Sequence, residues 1–172
     1  GMQPHDVIYN MMQYSDIVFG DQNEWEVASG VKHIPFNALD AGYVINREAY
    51  QEYFRKMHVL FPKCKKMVMA LRNQLASSHH TLTGLLYDAV HDSLYTTKIY
   101  DIQPIVDPMG VGDAFVAGYI HAHQKWTADN QYCLDFALSA SALKNTIPGD
   151  QNLVTEEEII SNLTSSGGRI QR

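Results

Sequence analysis

Hydrophobic positions along this chain recur with two periods, and the switches between them mark out the elements. Residues 4 to 14 have a helical rhythm. Val7, Ile8, Met11 and Met12 share one face, and Pro4 sits where a first turn tolerates proline. "SDIVFG" is short and continuously apolar, the style of a buried strand, closed by Gly20. "DQNEWEVASG" predicts a short helix with acids in its first turn and Gly30 as its stop. A loop with Pro35 and Gly42 as breakers follows, and Asn46 is placed to cap the next helix. There Tyr50, Tyr53, Phe54, Met57 and Phe61 form a helical stripe, which Pro62 ends. "KMVMAL" is the second strand. Strand, helices, strand predicts a right-handed parallel crossover.

The pattern then changes to period two. "TGLLYD" and "SLYTTKIYD" are strand-like runs separated by "AVHD", which predicts a hairpin. "RNQLASSHHTL", before them, reads as a polar loop. From Ala114 the helical rhythm returns, with Phe115, Gly118, Tyr119, Ala122 and Trp126 on one stripe. "YCLDFALSASALKN" is a helix of small and apolar residues over most of its surface, the kind packed on two sides. "IPGDQN" is a turn. Thr155 and Glu158 make a capping box for a last helix whose Ile159 and Leu163 face inward. The end, "SSGGRIQR", is expected to fray, which gives one domain over residues 2–164 and a tail over 165–172. No internal repeat or low-complexity tract is present.

Composition narrows the class. With 172 residues the chain suits one domain, or part of a larger one. Its net charge is −6, with lysine and arginine scattered, which argues against a nucleic-acid partner. The local cluster of Lys63, Lys65 and Lys66 reads as a solvated edge. Cys64 and Cys133 have no metal or disulfide spacing and suit a reducing cytoplasm. No apolar run approaches ~18 residues, so no membrane span and no membrane partner is expected. Gly1 before Met2 reads as a cloning remnant.

The chemistry concentrates in "IVDPMGVGDAFVAGY". Gly110, Val111, Gly112 and Asp113 stand at the mouth of a helix, where about four backbone N–H groups lack partners and positive charge accumulates. Glycines there let an anion approach, and phosphate is the anion such places favour. Asp113 is either the cap of that helix or a base beside a bound phosphate. No Gly-Lys-Ser/Thr follows, so this is not a P-loop, and the third glycine of a dinucleotide fingerprint is missing. Histidines offer less. Neither the adjacent His79 and His80 nor His121 and His123, two apart on a helix, can share a face. Ser77 and Ser78 beside His79 do not make a triad. Tyr119 and Trp126 belong to the core stripe.

"DPMGVGDAFVAGY" resembles the second signature of the ribokinase-like (PfkB) carbohydrate kinases. Asp107, Gly110, Gly112, Asp113, Phe115 and Gly118 match, with Pro108 and Val111 replacing the commoner Thr and Ala. "SDIVFGDQNEWEVASG" is similar to the family's strand ending in Gly-Asn-x-x-Glu, with Asp21 in the Asn place and Glu24 in the Glu place. "KMVMALRNQ" is similar to the strand before the nucleotide loop, but reads Ala70, Leu71, Arg72 where that loop has glycines. "NTIPGDQN" and the Asp-Pro variant look most like the 2-keto-3-deoxygluconate kinase branch. The resemblance covers nearly the whole chain and only the C-terminal, nucleotide-side half of the family's three-layer α/β/α sandwich.

The resemblance implies ATP-dependent phosphoryl transfer to a sugar acid. Asp113 would be the general base, and the amides of Gly110, Val111, Gly112 and Asp113 an anion hole. Asp107, Leu71, Arg72 and Asn145 would lie on the nucleotide side. Asp21 and Glu24 would organise the water shell of Mg²⁺. Each has a plainer reading: Asp21 and Glu24 as first-turn helix acids, Asn145 as a helix C-cap, Arg72 as a strand-end surface residue. Four candidate strands make a thin sheet with open edges, so a homodimer is expected to cover them. An inactive fragment that keeps only nucleotide binding or an oligomeric role is the alternative.

Overall fold

A computed structural model describes residues 1, 3–36 and 42–164. Met2, part of the loop after Gly30 and the expected tail lie outside the described residues. In chain order the elements are α1 (Pro4–Met12), β1 (Ile17–Gly20), α2 (Gln22–Ser29), α3 (Arg47–Leu60), β2 (Lys66–Ala76), β3 (His79–Asp88), β4 (Ser93–Thr96), β5 (Tyr100–Ile102), α4 (Val111–Lys125), α5 (Asn130–Lys144) and α6 (Glu156–Thr164). The strands form one mixed sheet in the order β1-β2-β3-β4, with β5 paired to β3. β1 and β2 run parallel, Ile17 opposite Lys66, and β5 lies antiparallel to β3, with Ile102 opposite His80. No helix among the described residues is long and apolar enough to cross a membrane.

The chain divides into two compact units. The first comprises residues 1–36, 44–69 and 85–95. Its core is the stripe expected on α3: Tyr50, Tyr53, Phe54, Met57 and the C-cap Phe61 are all buried. Asn46 caps α3 by accepting the Ala49 N–H. The Phe54 ring stacks on Tyr87 at 5.6 Å and meets Trp25 edge-on at 5.7 Å, the geometries aromatic quadrupoles favour. Gly20 is required above Trp25, because a Cβ there would collide with the indole. At the turn after β3, Arg55 donates Nε and Nη2 to the Asp92 carboxylate, which also accepts the Tyr87 hydroxyl.

The second unit comprises residues 37–43, 70–84 and 96–172. α5 is buried nearly all round from Cys133 to Lys144, as its small-residue composition predicts. α4 crosses it closely at Gly118, where a Cβ would stand 3.0 Å from Ala140 Cβ and 3.1 Å from Ala137 Cα. Thr155 and Glu158 exchange the two hydrogen bonds of a capping box before α6.

The largest departure from expectation lies in β2 and β3. The segment read as a polar loop is instead the far end of a long hairpin, since β2 continues to Ala76 and β3 starts at His79. Burial alternates along it: Leu71 buried, Arg72 exposed, Asn73 buried, Gln74 exposed. Period two is present there, but it is written partly in polar residues, so hydropathy hides it. The expected run "SLYTTKIYD" is likewise two strands, β4 and β5, interrupted at Thr97.

Two stability predictions follow from these contacts. Gly118→Val should push α4 off α5 and cost about 1–3 kcal/mol, read as a lower midpoint in urea unfolding. In the first unit, bonds from Lys32 and from the His33 backbone and ring hold the Glu26 carboxyl down to about 2, from an ordinary 4.5. A depressed carboxyl contributes stability that is full above its unfolded value and fades as pH falls through the folded one. Glu26→Gln should therefore lower stability at pH 7, and the gap to the parent chain should close between pH 4.5 and about 2.

Candidate active site

The site is built at the N-terminus of α4, within the second unit. Gly110 precedes the helix with φ 71° and ψ 6°, the left-handed region that glycine enters without a Cβ penalty. It is the cap residue, and it offers no side chain to the exposed amides. Asp113 is therefore not the cap; it is the third helical residue. Among the described residues, no acceptor takes the N–H of Gly110, Val111, Gly112 or Asp113; the first bond of the helix is Ala114 N–H to the Gly110 carbonyl, at 2.9 Å. Four donors and the positive end of a 15-residue helix thus face outward at one place. The Asp113 carboxylate is exposed and joins no hydrogen bond or ion pair among the described residues.

Two segments fix this geometry. The Asn145 carbonyl, at the end of α5, accepts Val106 N–H at 2.8 Å and Asp107 N–H at 3.3 Å. Asp107 then holds two amides in its carboxylate: Met109 N–H at 3.0 Å on Oδ1 and Gly149 N–H at 2.8 Å on Oδ2. Those amides, with Lys144 contributing from further away, keep the Asp107 carboxyl below the usual carboxylate range. Lys144 itself is wholly buried and donates its Nζ to the Ile147 carbonyl at 3.1 Å. The chain at 145–150 is thereby tied to 106–110 from both sides.

Asp150 is the residue that sequence reasoning missed. Its backbone carbonyl occupies the space a Gly110 Cβ would take, and its Oδ1 would stand 2.8 Å from that Cβ. A second carboxylate thus sits at the edge of the amide cluster. The turn "IPGDQN" contains it, but nothing in the local pattern says which loop will fold over Gly110.

The remaining expected residues have defined structural employment. Asn145 is the C-cap of α5, buried, with Nδ2 donating back to Ser141 and Ala142 carbonyls. Leu71 is buried on β2 and its neighbour Arg72 is exposed. In the first unit, Asp21 and Glu24 form a complete capping box on α2. Asp21 Oδ1 accepts Asn23 and Glu24 N–H at 2.7 and 2.9 Å, and Glu24 Oε2 accepts Asp21 N–H at 2.8 Å. The second oxygen of each carboxylate is in none of these bonds, and both side chains are exposed. Such a pair fits the outer water shell of Mg²⁺ better than direct ligation. No cluster of three or more metal-ligating side chains occurs among the described residues.

No protein-family model matches this sequence, and no curated protein does. Solved structures do. A 2-dehydro-3-deoxygluconokinase of Thermotoga maritima aligns over 94% of this chain at 26% identity with a TM-score of 0.79. The fold is the ribokinase-like one. A PfkB family carbohydrate kinase of Listeria grayi aligns at 22% identity and TM-score 0.76, again over 94% of this chain. A ribokinase of Thermotoga maritima aligns at 16% identity and TM-score 0.53, over 91%. This chain spans only 45% of each of those proteins. The sheet flanked by helices is accordingly part of a ribokinase-like fold.

Two glycines separate strain from collision. Gly110→Ala meets both a left-handed backbone and the Asp150 carbonyl, whereas Gly149, at φ 82°, has open space around it. Gly149→Ala should cost about 1–2 kcal/mol, the price of a left-handed alanine, and Gly110→Ala distinctly more, as compared by chemical denaturation.

Proposed function

We propose that this chain is the nucleotide-side half of an ATP-dependent sugar kinase, acting on a sugar acid such as 2-keto-3-deoxygluconate. One observation carries the reading: four unpartnered amides and an unengaged Asp113 carboxylate share the first turn of α4. Phosphoryl transfer needs little covalent help from a protein. It needs donors placed where charge gathers on the transferred group, and a base at the attacking hydroxyl. In this reading the amides of Gly110, Val111, Gly112 and Asp113 receive the transferred phosphoryl oxygens. Asp113 takes the proton from the acceptor hydroxyl.

The rest of the machinery serves that turn. Asp107 and Asn145 hold the amides in place from behind. Arg72, exposed beside buried Leu71, would meet a phosphate or the carboxylate of a sugar acid. Mg²⁺, when bound, would supply charge neutralisation for phosphate, and Asp21 and Glu24 of the first unit are proposed, by family resemblance alone, for its water shell. Residues 2–164 are read as one partial domain working in the cytoplasm. Small molecules are its partners, with neither nucleic acid nor membrane among them.

A second reading rests on length. A chain spanning 45% of its structural relatives could bind nucleotide without turning it over. Either way a homodimer is proposed. Among the described residues β1 pairs with β2 alone, and close by in sequence α1 exposes Val7, Ile8 and Met11, with Tyr14 exposed just after it. Light scattering should give twice the 19.4 kDa chain mass.

A coupled assay with ATP, Mg²⁺ and 2-keto-3-deoxygluconate tests the kinase reading. Asp113→Asn should lower kcat by about 10²–10⁴-fold, the usual worth of a placed acid–base group, while calorimetric affinity for a non-hydrolysable ATP analogue stays within about twofold. Analogue binding without turnover would favour the silent module. Absence of both would overturn the proposal.

A further inference from the structure

A positive charge lies sealed behind the amide cluster. Lys144, the last residue of α5, is wholly buried, and lysine is almost never so unless something holds it. It grips Ile147 twice. The Lys144 carbonyl accepts the Ile147 N–H at 3.1 Å, and the Lys144 Nζ donates to the Ile147 carbonyl at 3.1 Å. Two residues on, the Gly149 N–H binds Asp107 Oδ2, and the Asp150 carbonyl then packs over Gly110. The 145–150 segment thus links one buried ammonium to the start of α4.

Stability alone does not account for such a group. One neutral carbonyl returns only part of what an ammonium loses on leaving water. An apolar side chain of similar length would fill the same space without that loss. The charge does what an apolar residue could not: it attracts the Asp107 carboxylate from beyond ion-pair range and helps to keep it ionised. An ionised carboxylate is the form that holds the Met109 and Gly149 amides most strongly. Asp113 and Asp150 add further negative charge around the α4 turn, and the ammonium offsets it.

We infer that Lys144 is a positioning residue for the amide cluster: through Ile147 and Asp107 its sealed ammonium fixes the 145–150 segment over Gly110 and keeps the four amides turned outward for an anion. That the anion is a nucleotide phosphate rests on the kinase reading; the hold on Ile147 and Asp107 does not.

Lys144→Gln and Lys144→Met test this beside Lys125→Gln, which removes the same charge about 20 Å away, at the far end of α4. Each folded protein is read twice, by calorimetric affinity for a non-hydrolysable ATP analogue with Mg²⁺ and by the ¹³C NMR titration of the Asp107 carboxyl. Both Lys144 variants should bind the analogue about tenfold more weakly. In both, the Asp107 carboxyl should protonate at higher pH than in the parent chain, a change that a role in packing alone would not produce. Lys125→Gln should leave both readouts at the parent values. An unmoved Asp107 titration in both folded variants, or undiminished analogue binding in both, would overturn the inference. If neither variant folds, the parent chain decides through the ¹⁵N signal of Lys144 Nζ, which should be that of an ammonium and should shift as Asp107 titrates. The signal of a neutral amine, or one indifferent to Asp107, would overturn it. A parent chain that binds no analogue would instead overturn the kinase reading, and the Asp107 and Lys144 signals would decide the positioning role on their own.

Discussion

The second unit depends on one set of hydrogen bonds, those that tie 106–110 to 145–150. The Asn145 carbonyl and the two oxygens of Asp107 together accept four backbone N–H groups, from Val106, Asp107, Met109 and Gly149. An unpartnered amide in a tight loop is expensive, and a carboxylate accepting two of them is about as good a partner as a chain can supply. With those amides satisfied, the loop can leave the next four, at 110–113, without partners. Donors facing outward at a helix start are stable only because water or an anion can reach them and because the backbone behind them cannot relax to satisfy itself.

Electrostatics at that turn are balanced rather than simply positive. The helix end and four N–H groups favour an anion, while Asp113 and Asp150 oppose it. A phosphate arriving without a cation meets two carboxylates. One arriving with a divalent ion meets a site whose signs alternate. The balance makes metal dependence a natural property of the proposed chemistry.

Much of this was legible in the sequence, and the gaps have physical causes. The α3 stripe from Tyr50 to Phe61, the Gly30 stop and the Thr155–Glu158 capping box are local patterns, and local patterns are what a linear chain displays, whereas Asp21, read as a first-turn acid, is the N-cap of a capping box with Glu24. The motif from Asp107 to Gly118 pointed to the α4 turn. Of the two readings open for Asp113 the cap falls away, because the cap position is Gly110, in a left-handed backbone conformation. Hydropathy missed the extension of β2 and β3, since Asn73 and His80 are buried yet polar. Asp150 could not be found at all: its place over Gly110 results from tertiary folding between residues 40 apart in number, and no periodicity encodes that.

Lys144 has a consequence of its own. Its ammonium is sealed inside the second unit, with its only described bond to the Ile147 carbonyl three residues along. Amine-directed reagents reach such a group only when the end of α5 loosens. The rate at which this one lysine is labelled would thus act as a clock for breathing where the 145–150 segment meets the start of α4, with the solvent-exposed lysines serving as its reference.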